Sequence, residues 1–130
     1  LEGKRPMMVR LAYLHQGDTV PLTSRSPMGK FGMYNKFTAH PGQRDRLVEQ
    51  LLSAAKLMEN ATGCELYIVN TSPNEADIVW VTEVWESEED HRASLSIEGV
   101  PELIERTMPL VAGPPEQIRV VPVGGKGLVA

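Results

Sequence analysis

Residues 78–91, IVWVTEVWESEEDH, constrain this chain more than any other stretch. Apart from Glu83, the first eight residues are β-branched or aromatic, types that fit a pleated surface. Alternation puts Ile78, Trp80, Thr82 and Val84 on one face and Val79, Val81, Glu83 and Trp85 on the other. Both faces are largely apolar, so both need cover. Helices of the same chain can cover one, and a second subunit is the simplest cover for the other. Ser87 then offers a helix cap. Asp90 stands in the capping-box position, and Glu88, Glu89 and Asp90 suit the positive end of the helix dipole.

The remaining elements follow from periodicity. Residues 30–38, KFGMYNKFT, alternate: Phe31, Met33, Asn35 and Phe37 share one face, Gly32, Tyr34, Lys36 and Thr38 the other. Asn35 is a polar residue in an apolar row, either bonded to neighbouring backbone or aimed into a cavity behind the sheet. After His40-Pro41-Gly42 a helix is expected over 43–60, with Leu47, Val48, Leu51, Leu52, Ala55 and Met58 as its core-facing stripe. Gly63 supplies a left-handed cap. A strand over 64–70, a turn cluster over 71–77 and the strand over 78–85 make an antiparallel hairpin. Cys64 reads as a small hydrophobe at the hairpin's start.

A break at Gly99 leads to a second helical piece, with Pro101 in its first turn and Val100, Leu103, Ile104 and Met108 facing inward. The last strand is expected over 117–123, Pro122 placing its end on an edge. The glycine-rich run over 124–127 reads as a linker. Strand, helix, strand, strand, helix, strand is the split pattern of the ferredoxin-like α+β fold, a four-stranded antiparallel sheet with helices on one face. The bare face would carry Ile78, Trp80 and Val84, a patch that fits a two-fold homodimer.

Composition excludes several classes. At 130 residues the chain has room for one ordinary domain. A net charge of −4 argues against a nucleic-acid partner, and no apolar run reaches membrane-spanning length. One cysteine makes no internal disulfide, and His15, His40 and His91 lack metal-ligand spacing, so no metal is expected. The expected location is cytoplasmic, with no membrane partner. Basic charge gathers at the front, where Lys4, Arg5, Arg10, Arg25 and Lys30 stand against Glu2 and Asp18. Residues 1–27 are expected to be an N-terminal extension or an appended segment, and the domain to begin at Met28 and run over 28–130. The run MMVRLAYLHQG resembles a signal-like piece, but with its apolar core short and broken by Arg10 it is not expected to be a targeting signal.

Three segments together resemble the antibiotic biosynthesis monooxygenase family of dimeric ferredoxin-like α+β barrels. They are FGMYNKFTAHPGQRDRLVEQL, IVWVTEVWESEEDHRASL and MPLVAGPPEQIRVVPVGGKG, and the resemblance covers about residues 28–127. It implies a cavity between sheet and helices in each subunit of a dimer. It implies cofactor-independent oxygenation of dihydroxy-aromatic or quinol substrates, with dioxygen as co-substrate. Haem-degrading cousins line that cavity with an asparagine on the first strand and a tryptophan ending the third, positions held here by Asn35 and Trp85. Those cousins also place a haem-binding histidine on the next helix. Here His91 comes early in that helix, with Ser94, Leu95 and Ser96 further along, a departure that favours the quinol branch.

The expected site follows. Asn35 donates to a developing oxyanion, Trp85 forms an aromatic wall, and His91 is either the base or a solvated first-turn residue. The inward faces add Phe31, Met33, Phe37, Val81 and Glu83 as substrate contacts. Glu83 has other places open to it, at the sheet edge or against a partner subunit. Tyr34, Lys36, Tyr67 and Trp80 are expected in packing or at the dimer face. Two other classes share the scaffold: a non-catalytic small-molecule or stress-response binding protein, and an isomerase or cyclase.

Overall fold

The computed structural model describes residues 29–128. The expected extension over 1–27 and its boundary at Met28 lie outside the described residues. The chain forms β1 (Phe31–Thr38), α1 (Arg44–Leu57) with a 3₁₀ turn (Met58–Asn60), β2 (Cys64–Thr71) and β3 (Ile78–Trp85). It continues through α2 (Glu88–Ser94), α3 (Val100–Thr107) with a second 3₁₀ turn (Met108–Leu110), and β4 (Glu116–Val120). The sheet order is β2-β3-β1-β4 with every neighbouring pair antiparallel, the ferredoxin-like arrangement.

Local chemistry sets the corners. The Ser87 hydroxyl accepts from the Asp90 backbone N–H at 3.1 Å, so α2 starts with only two residues between it and the end of β3. Gly63, at φ +82°, turns the chain into β2, and its carbonyl accepts from the Glu86 N–H at 2.8 Å. A side chain at Gly63 would overlap the Asp90 carboxylate. The entry to β2 and the β3–α2 corner are therefore packed onto each other.

The inward faces of β1 and β3 bury two apolar groups. Phe37, Val79 and Val81 pack with Leu47 and Leu51 of α1. Phe31, Met33 and Trp85 pack with Met58 and Val100. The outward face carries Tyr34, Ile68 and Ile118 exposed and Trp80, Thr82 and Val84 half-buried.

Several expectations shift. Leu52 is 52% exposed, because the stripe that meets the sheet runs through Leu47, Leu51 and Met58 and leaves Leu52 about a quarter-turn away. Ile78, expected at the dimer face, is only 7% exposed within one chain. Its strand begins inside a turn closed by Ile78 N–H to Glu75 O and Ala39 N–H to Asp77 O. β4 stops at Val120, before Pro122, which has no N–H to offer the ladder. β2 carries a bulge between Cys64 and Leu66, which reverses its alternation.

Candidate active site

Register decides which inward side chains meet. On β1, Asn35 stands opposite Val81 of β3 and Gln117 of β4. Glu83 is one inward position further along β3, diagonal to Asn35, and its partner on β2 is Tyr67. Trp85 follows two residues later on the same face. α2 begins immediately after the strand, which brings His91 back over the strand's end.

These groups converge on one carboxyl. Glu83 is 7% exposed. Its Oε2 accepts from Asn35 Nδ2 at 2.7 Å, and its Oε1 accepts from Trp85 Nε1 at 2.9 Å. His91 Nε2 lies 3.7 Å from the same Oε1. The His91 ring is held edge-on to Trp85, centroids 5.5 Å apart, and tilted against Phe31 at 5.3 Å. The Ser94 hydroxyl turns back to the His91 carbonyl. Arg119 of β4 lies over the Phe31 ring at 5.2 Å and pairs with Glu88 of α2.

Burial sets the protonation states. It pushes the Glu83 carboxyl up to about 7, against the opposing pull of the Trp85 and Asn35 hydrogen bonds. Burial, reinforced by Arg119 and Arg92, pulls His91 down to about 4. The imidazole is therefore neutral at physiological pH, and its 3.7 Å approach to Glu83 is neither an ion pair nor a direct hydrogen bond. Burial and the Glu83 charge push the Tyr67 phenol well above its ordinary value. The same causes push the Cys64 thiol up to about 11, which rules out a thiolate nucleophile at neutral pH.

Beside this carboxyl is a cavity of about 110 Å³ between the sheet and the helices. Met33, Asn35, Phe37 and Glu83 line it as expected substrate-facing groups, and His91 joins them from α2. Phe31, Val81 and Trp85 do not line it. Val81 is sealed under Leu47 and Leu51, Phe31 is covered by the His91 and Arg119 contacts, and Trp85 is 0% exposed within the second apolar group. Trp85 is thus no aromatic wall and acts on the cavity only through its N–H to Glu83. His91, at 4% exposure, is not a solvated first-turn residue. Asn35 donates to Glu83 rather than towards an oxyanion, and its Oδ1 is buried with no hydrogen-bond partner among the described residues.

Sequence reasoning missed Tyr67 and Gln117, which both line the cavity. The bulge turns Tyr67 inward, where plain alternation from Cys64 would send it out. Gln117 was within reach of alternation, since β4 places Gln117 and Arg119 on one face. Among the described residues no group of three or more His, Cys, Asp or Glu is placed to hold a metal, and no helix is long and apolar enough to cross a membrane.

The chain was compared with known proteins. Residues 31–105 match the family model described as antibiotic biosynthesis monooxygenase. A Chloroflexus aurantiacus structure carrying the same family description is 42% identical, with TM-score 0.68, covering 74% of this chain and 95% of that one. A Caulobacter crescentus structure at 19% identity (TM-score 0.69, 75% and 92% covered) shares the fold. So does a Mycobacterium tuberculosis structure at 14% identity (TM-score 0.66, 75% and 98% covered). No curated protein matches the chain.

Proposed function

Because this chain belongs to the antibiotic biosynthesis monooxygenase family, we propose that it is a cofactor-independent monooxygenase that oxidises a small quinol or dihydroxy-aromatic substrate with dioxygen. The observation that carries this reading is the buried Glu83 carboxyl, poised near pH 7 on the wall of a cavity of single-ring size. At about 110 Å³ the cavity is of the same order as the roughly 150 Å³ that takes up benzene.

Glu83 is the base. A carboxyl titrating near neutrality is well matched to remove a phenolic proton, and both of its oxygens keep a lone pair beyond those used by Asn35 and Trp85. Asn35 and Trp85 orient the carboxylate. His91, neutral and edge-on to the indole, fills the wall and sets Trp85 in place. Loss of the proton makes the ring electron-rich enough to reduce dioxygen. One oxygen atom ends on the ring, and the other leaves as water with the two hydrogens the substrate has lost. No outside reductant enters, since the substrate supplies both electrons. The apolar cavity keeps water from the reactive pair.

The working unit of this proposal is a homodimer joined through the outer sheet face. Tyr34, Ile68 and Ile118, with half-buried Trp80 and Val84, make an apolar surface that a second copy would cover.

The test is oxygen uptake with a panel of monocyclic quinols. Consumption by the wild type and its loss in a folded Glu83→Gln variant is the expected result. Oxygen uptake by none of the panel, while the same compounds raise the melting temperature, would leave a binding protein instead. Anaerobic rearrangement of a compound would leave an isomerase.

A further inference from the structure

Proton removal by Glu83 leaves an oxygen anion on the ring, and an anion in an apolar cavity is costly without a hydrogen-bond donor. The nearest donors are already engaged. Asn35 and Trp85 give their N–H groups to Glu83 itself, and His91 Nε2 faces the same carboxyl at 3.7 Å. Ser94 and Thr107 also line the cavity, but their hydroxyls donate to the His91 and Leu103 carbonyls.

Tyr67 is placed differently. It stands directly across from Glu83 on the neighbouring strand and lines the same cavity. Side chains so paired have Cβ atoms about 5 Å apart. A tyrosine reaches further from its Cβ than a glutamate does, so it can meet an oxygen held against Glu83 from a second side. The Tyr67 hydroxyl makes no hydrogen bond to the described residues, yet it is not among the oxygens sealed in protein without a partner, which are Asn35 Oδ1, Glu65 Oε1 and Gln117 Oε1. It therefore keeps accessible surface. Tyr67 packs against both apolar groups under the helices, which puts that surface on the cavity side of the sheet. Burial, then the Glu83 charge, holds the phenol well above its ordinary 10.0, so it keeps its proton at neutral pH and can donate.

We propose that Tyr67 is a second catalytic residue, whose O–H binds the ligand's oxygen anion as Glu83 takes the proton from it. The proposal rests on the reading of this cavity as a phenol-oxidising site with Glu83 as base. In this step the ligand O–H bond breaks, the proton forms a new O–H bond on Glu83, and the electron pair stays on the ring oxygen. Tyr67 shares its hydrogen without giving it up, and nothing is oxidised or reduced. It takes the part that Asn35 forgoes by turning to Glu83.

The experiment is an anaerobic absorbance titration of the intact protein with 4-nitrophenol, whose anion absorbs in the visible where the phenol does not. The bound ratio of anion to phenol should be roughly ten-fold or more higher in wild type than in Tyr67→Phe, the value of a hydrogen bond to a charged group. Tyr67→Phe keeps the ring and its packing, so a merely structural role would leave that ratio unmoved. 4-Nitroanisole, which cannot ionise, should bind both proteins alike. Tyr67→Leu should lower the ratio as Tyr67→Phe does, so either folded variant decides the question.

An unchanged ratio in a folded variant would overturn the proposal, and so would a wild type that binds 4-nitrophenol only as the neutral phenol or not at all. Oxygen consumption plays no part in these readouts. A lowered ratio in the variants, with no quinol consuming oxygen, would sink the oxygenase reading and leave Tyr67 as the donor of a phenolate site. Oxygen uptake with an unmoved ratio would do the reverse.

Discussion

The proposed chemistry rests on one residue, Glu83. Its carboxyl titrates near 7 because it is buried, and it stays usable as a carboxylate because Trp85 and Asn35 stabilise the charged form. In the oxygenase reading, kcat/KM should rise with pH through about 7 and level off above it. Trp85→Phe keeps a ring and deletes the N–H that holds the Glu83 pKa down. The rising limb should then move to higher pH, which a pH–rate profile reads directly. Trp85→Ala should instead cost about 3–5 kcal/mol of stability, because the indole is fully buried in the second apolar group.

The same burial links stability to pH with two opposing slopes. Glu83 titrates higher in the folded chain than its ordinary 4.5, so its contribution falls as pH rises from about 4.5 to about 7. His91 titrates at about 4 against an ordinary 6.5, so its contribution rises with pH between about 4 and 6.5. The two largely cancel where they overlap. Glu83→Gln removes the first slope and should leave a melting temperature that climbs steadily from pH 4 to 6.5. A flat profile in that variant, followed by circular dichroism, would contradict the burial-driven shift of His91.

Among the elements, the β3–α2 corner has the most to hold. Ser87 caps α2, and α2 carries His91 over the end of β3. Ser87→Ala should cost about 1 kcal/mol in chemical denaturation. Gly63→Ala should cost more, because a Cβ there meets Asp90 and the backbone is left-handed. Gly63→Ala combined with Asp90→Ala should recover part of that loss, since the clash goes while the strained φ remains. Purely additive losses would mean the two residues do not press on each other. Leu52, exposed on α1, should accept glutamine at a cost within about 0.5 kcal/mol.

For the whole molecule, the sheet has one face covered by its own helices and one carrying Tyr34, Ile68 and Ile118 in the open. In the proposed dimer, Ile68→Lys should shift the sedimenting species from dimer to monomer at micromolar concentration. It should leave the cavity-lining groups in place, because Ile68 points away from them. A wild type that sediments as a monomer would remove the dimer from the proposal. Gly32 constrains the outer side as well. A Cβ there would come within 2.8 Å of Val120 and 3.0 Å of Pro122, so the end of β4 crosses close over β1.

The element order, the α+β class, the strand at 78–85, the Ser87 cap and the Gly63 turn were all legible in the chain itself. Each rests on periodicity, capping or backbone freedom, which act between residues a few positions apart. Asn35 and Glu83 stood out as polar groups in apolar rows, and Trp85 and His91 through the family resemblance. What they do to one another was not legible. The Asn35–Glu83 hydrogen bond joins residues 48 positions apart and depends on strand register. The bulge that turns Tyr67 inward breaks the period that local reading relies on. Burial raises Glu83 and lowers His91, with Arg119 and Arg92 adding to the His91 shift, and packing in the second apolar group seals Trp85 behind the carboxyl. Gln117 meets Asn35 only because β4 closes the sheet beside β1. Local sequence determined the elements and which faces they bury. Tertiary structure alone decided which buried polar groups meet, and so which of them holds a proton at neutral pH.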